Sequence, residues 1–258
     1  MRRFLALPLL PLVVILVACS GSGGPTIPSP SPVVPRSDAA IYYEFEEGVS
    51  EADRRIVPEG TEDSRRYFAE QLGRDLKLDI TVETTLEDGE GFVGTSFGRR
   101  ATLMTGSPGW PGGDGGNARR IKSNITAHEI FHNFQSDLIY TDDALPSDSP
   151  RWIVEGSAEY AAARYESDRF DRDWNGIVRN YERSAREPLP RLDDNSLRTY
   201  RFYAKSFLGV NTLMQNRPLS DLGDYFDKTG YMDWEDAFLE TFGETPEAFL
   251  DRFESSRG

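Results

Sequence analysis

The chain is poor in the residues that most often hold metals or staple small folds. Of its 258 residues, two are histidine and one is cysteine. A lone cysteine excludes a disulfide within the chain and any metal site built on several thiolates. Positive charge is scarce beside negative: 29 Lys and Arg stand against 43 Asp and Glu, for a formal net charge of −14. Such a balance argues against nucleic-acid phosphates or an anionic membrane surface as partner. Internal repeats are lacking too, which argues against a solenoid or propeller. What remains is ordinary, with 38% hydrophobic and 12% aromatic residues in a length that suits one domain with appendages.

Both histidines fall in one stretch, Ile125 to Gln135, ITAHEIFHNFQ, at His128 and His132 with Glu129 between them. On a helix a spacing of four leaves two side chains only ~40° apart, so both imidazoles share a face and can reach one metal ion. The pattern is HExxH, a zinc-hydrolase signature. Ile130, Phe131, Phe134 and Leu138 supply an opposite, buried face.

Residues 1–18 read as a targeting segment. Arg2 and Arg3 form a basic start, and Phe4 to Val17 is an apolar run too short to span a bilayer comfortably. The run closes on Leu16-Val17-Ala18-Cys19, which resembles the lipobox of bacterial lipoproteins. The resemblance implies cleavage before Cys19, lipid on that residue, and an extracytoplasmic chain tethered to a bacterial membrane. Residues 19–37, rich in Gly, Ser and Pro, read as a flexible-to-extended tether.

The folded part, 38–258, begins with a strand in which Ile41, Tyr43 and Phe45 alternate with polar neighbours. A helical stretch follows, expected to break around Pro58 and Gly60 and to resume from a Thr61 cap through Phe68 and Leu72 to a Gly73 stop. Leu76, Leu78, Ile80 and Val82 alternate as a second strand. A Gly-rich connection leads to a short strand, Ala101 to Thr105. Residues 106–117, GSPGWPGGDGGN, read as a loop, either a flap near an active site or a solvated connection. Beyond the HEIFH helix, a helix opens at Pro150 with Ser149 as its cap, and helices dominate from Asp168 onward. Thr245 caps the last helix and Pro246 starts it; Phe249, Leu250 and Phe253 form its buried stripe.

A catalytic zinc ion takes three protein ligands and keeps a position open for water. With no third histidine and no spare cysteine, the remaining ligand must be a carboxylate, and many are available. Glu155 stands out by its setting, Trp152-Ile153-Val154-Glu155-Gly156-Ser157-Ala158-Glu159. Here the sequence resembles the gluzincins, the thermolysin-like and aminopeptidase-like zinc peptidases with peptidase-MA-like domains, in which a second helix carries a W-x-x-E-G-x-A-[ED]-like pattern. The resemblance implies that Glu155 is the third ligand, that Glu159 orients a zinc-bound histidine, and that Glu129 is the general base.

Phe202-Tyr203-Ala204-Lys205-Ser206 resembles the Y-x-K-G segment of the aminopeptidase-like members, which implies Tyr203 as donor to the oxyanion. Ser206 replaces the glycine, and Tyr200 lies one turn away as a rival. The final stretch, WEDAFLETFGETPEAFLDRF, is similar to the closing helices of peptidase-MA-like domains. No G-x-M-E-N-like stretch is found, so an aminopeptidase assignment is not supported. The resemblance implies an α+β, zincin-like fold, with a small N-terminal mixed sheet and helices, a mainly helical C-terminal half and a zinc cleft between them. It also implies a zinc metallopeptidase acting on peptide or protein substrates. The alternative is a surface lipoprotein that keeps the fold and the zinc without catalysis.

A second metal pattern is present. Asp171, Asp173, Asn175 and Glu182, with Gly176, fit the EF-hand loop and would hold Ca²⁺ at ~10⁻⁴–10⁻³ M. Trp174 and Arg179 suit such a loop poorly. The same stretch reads as a helix with Trp174, Ile177, Val178 and Tyr181 on one face.

Overall fold

The computed structural model describes residues 37–89, 93–139, 149–186, 189–194 and 200–257. The targeting segment and nearly all of the tether, Cys19 included, lie outside them.

Four short strands form one sheet. Strand β1 (Ile41–Phe45) leads through helix α1 (Glu51–Leu72) to β2 (Ile80–Thr85), and β3 (Gly94–Phe97) turns at once into β4 (Arg100–Met104). The order is β1-β2-β4-β3, parallel except for the antiparallel β3–β4 hairpin at one edge. Val82 stands mid-sheet, opposite Tyr43 on one side and Ala101 on the other. Alternation along β2 and β4 buries Ile80, Val82, Ala101 and Leu103. Helix α2 (Gly116–Leu138) packs against β3, β4 and α1, and its Phe131 and Phe134 meet Phe68 of α1 edge-on, with centroids 5.2 and 6.0 Å apart.

The remainder is helical: α3 (Arg151–Arg169), α4 (Trp174–Ser184), α5 (Tyr200–Leu213), α6 (Ser220–Thr229), α7 (Trp234–Phe242) and α8 (Pro246–Ser255). Helix α3 lies between α2 and α5. At Gly156 the α3 and α5 backbones approach so closely that a Cβ would stand 2.6 Å from the Ser206 carbonyl oxygen. Trp152 stacks on Phe249 at 5.4 Å, which ties α3 to α8. Thr245 caps α8 and Pro246 opens it, as its sequence predicts, with Phe249, Leu250 and Phe253 buried.

Several expectations need correction. Helix α1 does not break: Pro58 lies inside it, and Thr61 is wholly buried rather than a cap. The cap is Ser50, whose hydroxyl accepts from the Asp53 amide. Val57 and Phe68, buried on either side of Pro58, outweigh the lost backbone bond. The Gly73 stop is left-handed, as expected. Strand β2 starts at Ile80, not Leu76, because the Asp137 carboxylate accepts the amides of Lys77 and Leu78 at 3.0–3.1 Å in place of a neighbouring strand.

The Gly-rich connection contains a strand, β3, and β4 runs one residue ahead of the predicted span. Ser149 does not cap α3; its hydroxyl lies 3.1 Å from that of Tyr225. Loop 106–115 is pinned rather than solvated throughout. The Trp110 indole donates to Asp53 (3.0 Å), and Lys122 bonds both Asp53 and the Gly113 carbonyl at 2.7 Å.

The EF-hand reading gives way to the helical one. Asp173 caps α4, accepting the amides of Asn175 and Gly176, and Tyr181 stacks on Phe207 at 3.7 Å. The carboxylates of Asp171, Asp173 and Glu182 do not converge on one point, so nothing in the fold supports calcium there.

Candidate metal centre

Two consecutive helices build the site. Helix α2 presents His128 and His132 on one face, while Ile130, Phe131 and Phe134 bury the other against the sheet and α1. Helix α3 presents Glu155 from the position just before its close approach to α5 at Gly156. The Nε2 atoms of the two histidines are 3.1 Å apart, and Glu155 Oε2 lies 3.6 Å from that of His128 and 3.3 Å from that of His132. Among the described residues this is the one group of three or more His, Cys, Asp or Glu side chains placed to hold a metal ion.

The donor set fits zinc. Ligands at ~2.0–2.1 Å in a tetrahedron stand about 3.3 Å from one another, and these three separations scatter around that length. The chemistry of the ring nitrogens agrees. Gln135 donates its amide N–H to the Val154 carbonyl (2.9 Å), so its oxygen faces His132 Nδ1 at 2.6 Å. That nitrogen therefore carries the proton, and Nε2 turns a lone pair inward. His128 Nδ1 faces Glu159 Oε1 at 3.6 Å, and the other Glu159 oxygen accepts from Tyr181 at 2.6 Å. Two inward lone pairs and a carboxylate oxygen call for a cation between them.

Electrostatics point the same way. Burial pulls the His128 pKa down, but the bond to Glu155 and the charges of Glu159 and Glu129 lift it to about 9. Burial raises that of Glu155, yet both histidines together hold it well below the usual carboxylate range.

Glu129 shares the helix but turns to the other side, against the β3 edge. It is buried, and burial pushes its carboxyl up while the two histidines and Ser96 oppose the shift. The Ser96 hydroxyl lies 2.8 Å from Glu129 Oε2 and 3.0 Å from the Glu129 carbonyl. Gly94 leaves space for the same carboxylate: a Cβ there would stand 2.5 Å from Oε1. Asn133 donates to the Gly98 carbonyl at 3.0 Å and fastens the hairpin turn to α2.

Helix α5 brings Tyr203 to the site, its ring centroid 6.5 Å from that of His128. Burial and the Glu155 charge push its phenol up to about 12 against the pull of Arg151. Tyr200 is largely exposed at the start of the helix. The structure thus brings Glu129 and Tyr203 close to the His128–His132–Glu155 group. Gln135, Ser96, Gly94 and Arg151 had no signal in the sequence pattern, because each also meets a group on another element: Val154, Glu129, Glu129 and Tyr203 in turn.

The architecture is mixed α+β, a small four-stranded sheet followed mostly by helices. No protein-family model matches the chain, and no curated protein matches it in sequence. A solved structure shares the fold: a glutamate-to-alanine mutant of an M1 zinc metallopeptidase from Deinococcus radiodurans, with a TM-score of 0.52 and 14% identity. The match covers 84% of this chain and 48% of that one, so the chain spans about half the length of that peptidase. At such identity the likeness is one of fold.

Proposed function

We propose that the chain is a zinc-dependent metallopeptidase, a hydrolase of peptide bonds in peptide or protein substrates. One observation carries the reading: three metal-ligand atoms face one point, with a buried carboxylate beside them on the same helix. The zincin-like fold adds to it.

His128, His132 and Glu155 would hold the ion, with Gln135 and Glu159 fixing the imidazole tautomers. Zinc supplies Lewis acidity, which brings a water's pKa toward ~7 and polarises a carbonyl. Glu129 takes the proton of the attacking water and later delivers it to the leaving amine. Burial raises its proton affinity above that of an ordinary carboxylate, in the direction both duties need. Tyr203, a neutral phenol below pH 12, donates to the oxyanion as charge develops there.

Zinc content and hydrolysis of a peptide library, read on wild type, Glu155→Ala and Glu129→Gln, test this reading. About one zinc per wild-type chain is expected, with most of it lost in Glu155→Ala. Glu129→Gln should keep the metal and lose ~10²–10⁴-fold in turnover. Zinc without turnover in the wild type would leave a zinc-binding lipoprotein.

We also place the activity outside the cytoplasm, with 1–18 as a lipoprotein signal peptide, 19–37 as a tether and lipid on Cys19. No described helix is long and apolar enough to cross a membrane. Cys19→Ser should move the protein from the membrane fraction to the soluble one, and an unchanged distribution would remove the lipid anchor.

A further inference from the structure

One cation in the site has no part in the scheme above. Arg151 opens α3, one turn before Glu155. Its Nη2 donates to the Tyr203 hydroxyl at 2.9 Å, and its Nε lies 3.7 Å from Glu155 Oε1, the oxygen turned away from the histidines. The guanidinium carbon sits 5.3 Å from the Phe202 ring centroid and 5.4 Å from that of Tyr203. An always-charged group held by a hydroxyl, a carboxylate and two neighbouring rings has little rotamer freedom left.

We propose that Arg151 is a positioning residue, aiming the Tyr203 hydroxyl into the metal centre. This rests on the peptidase reading for its effect on rate but not for its effect on the phenol.

A phenol oxygen has one proton to give and lone pairs to receive. With Arg151 occupying a lone pair, the O–H bond is left to point elsewhere. The phenol edge facing His128 is where a reacting carbonyl would lie. Donors preorganised in this way reorganise little during reaction. The same guanidinium spans α3 and α5, so it relates the third ligand to the donor directly. A lysine could still bond the hydroxyl through its ammonium.

The test uses the full chain carrying Arg151→Gln, Arg151→Lys, Tyr203→Phe and the Arg151→Gln/Tyr203→Phe pair, with a thermal melt of each to show folding. With ¹³Cζ-tyrosine labelling, the Tyr203 resonance is assigned by its loss in Tyr203→Phe. It should shift in Arg151→Gln and stay near its wild-type position in Arg151→Lys. In turnover, Arg151→Gln should lower kcat about tenfold with KM little changed, less than the ~10²–10³ lost when an oxyanion donor is removed outright. In the Tyr203→Phe background the same change should cost less than about twofold, because its effect passes through Tyr203. A Tyr203 resonance unmoved in Arg151→Gln would overturn the proposal even in a chain with no peptidase activity. Multiplying losses in the double variant would overturn it as well, assigning Arg151 to Glu155 or to the fold. Absence of wild-type turnover with a shifted resonance would count against the peptidase reading alone.

Discussion

At the scale of single residues, the site divides into what spacing can encode and what it cannot. His128 and His132 are legible because a separation of four on a helix is a geometric statement by itself. Glu155 is legible through the residues around it. Ser96 and Gln135 are not: a serine on a Gly-rich stretch or a glutamine at a helix end has no meaning until the partner is known, and Ser96 meets Glu129 across 33 positions. Ser96 holds the carboxylate oriented between β3 and α2, so it bears on rate rather than on metal. Ser96→Ala should retain zinc and lose roughly tenfold in kcat, since a misaimed base loses part of its ~10²–10⁴-fold contribution. Ser96→Thr, with its hydroxyl restored, should recover most of that. Atomic absorption alongside steady-state kinetics separates the two effects; loss of zinc in Ser96→Ala would show a structural role instead.

At the scale of elements, the helices with strong local signals formed where periodicity put them, and α8 begins at its Thr-Pro pair. Misreadings occurred where a distant group outweighed a local preference. Pro58 and Gly60 look like a break, but packing against α2 carries α1 through them. Leu76 and Leu78 alternate like a strand, yet a carboxylate from α2 takes the amides of Lys77 and Leu78. Strand β3 has too few apolar residues to announce itself. The α3–α5 contact makes a prediction at this level. Gly156→Ala would drive a methyl group into the Ser206 carbonyl, costing about 1–3 kcal/mol as the helices part. Because Glu155 is the preceding residue, zinc affinity should fall together with the denaturant midpoint. A variant as stable as wild type with full affinity would show that the helices separate freely.

Across the whole molecule, the α+β class and the order of sheet before helices could be read from the chain, whereas the fastening of loop 106–115 could not. Asp53, Trp110 and Lys122 come from three separate segments, and their meeting is a tertiary event. It gives the fold an acid-sensitive point. Burial raises the Asp53 pKa, but bonds from Lys122, Ser50 and Trp110 bring it below the ordinary value. A depressed carboxylate pKa contributes stability that is present above the unfolded value near ~3.9 and is lost as pH falls through the folded one. Asp53→Asn should cost roughly 3 kcal/mol at pH 7, leaving Lys122 buried without its counter-charge, and the gap to wild type should narrow as pH falls below ~3.9. Thermal melts across that range measure it; a constant gap would remove the ion pair as its source. A different consequence belongs to the two glycines that border the site. Gly94 faces the carboxylate of Glu129 and Gly156 follows Glu155, and at each a single added carbon would collide with its neighbour. The centre is gauged by two vacancies the width of a methyl group, so the chain can vary its surface widely and still have no latitude at these points.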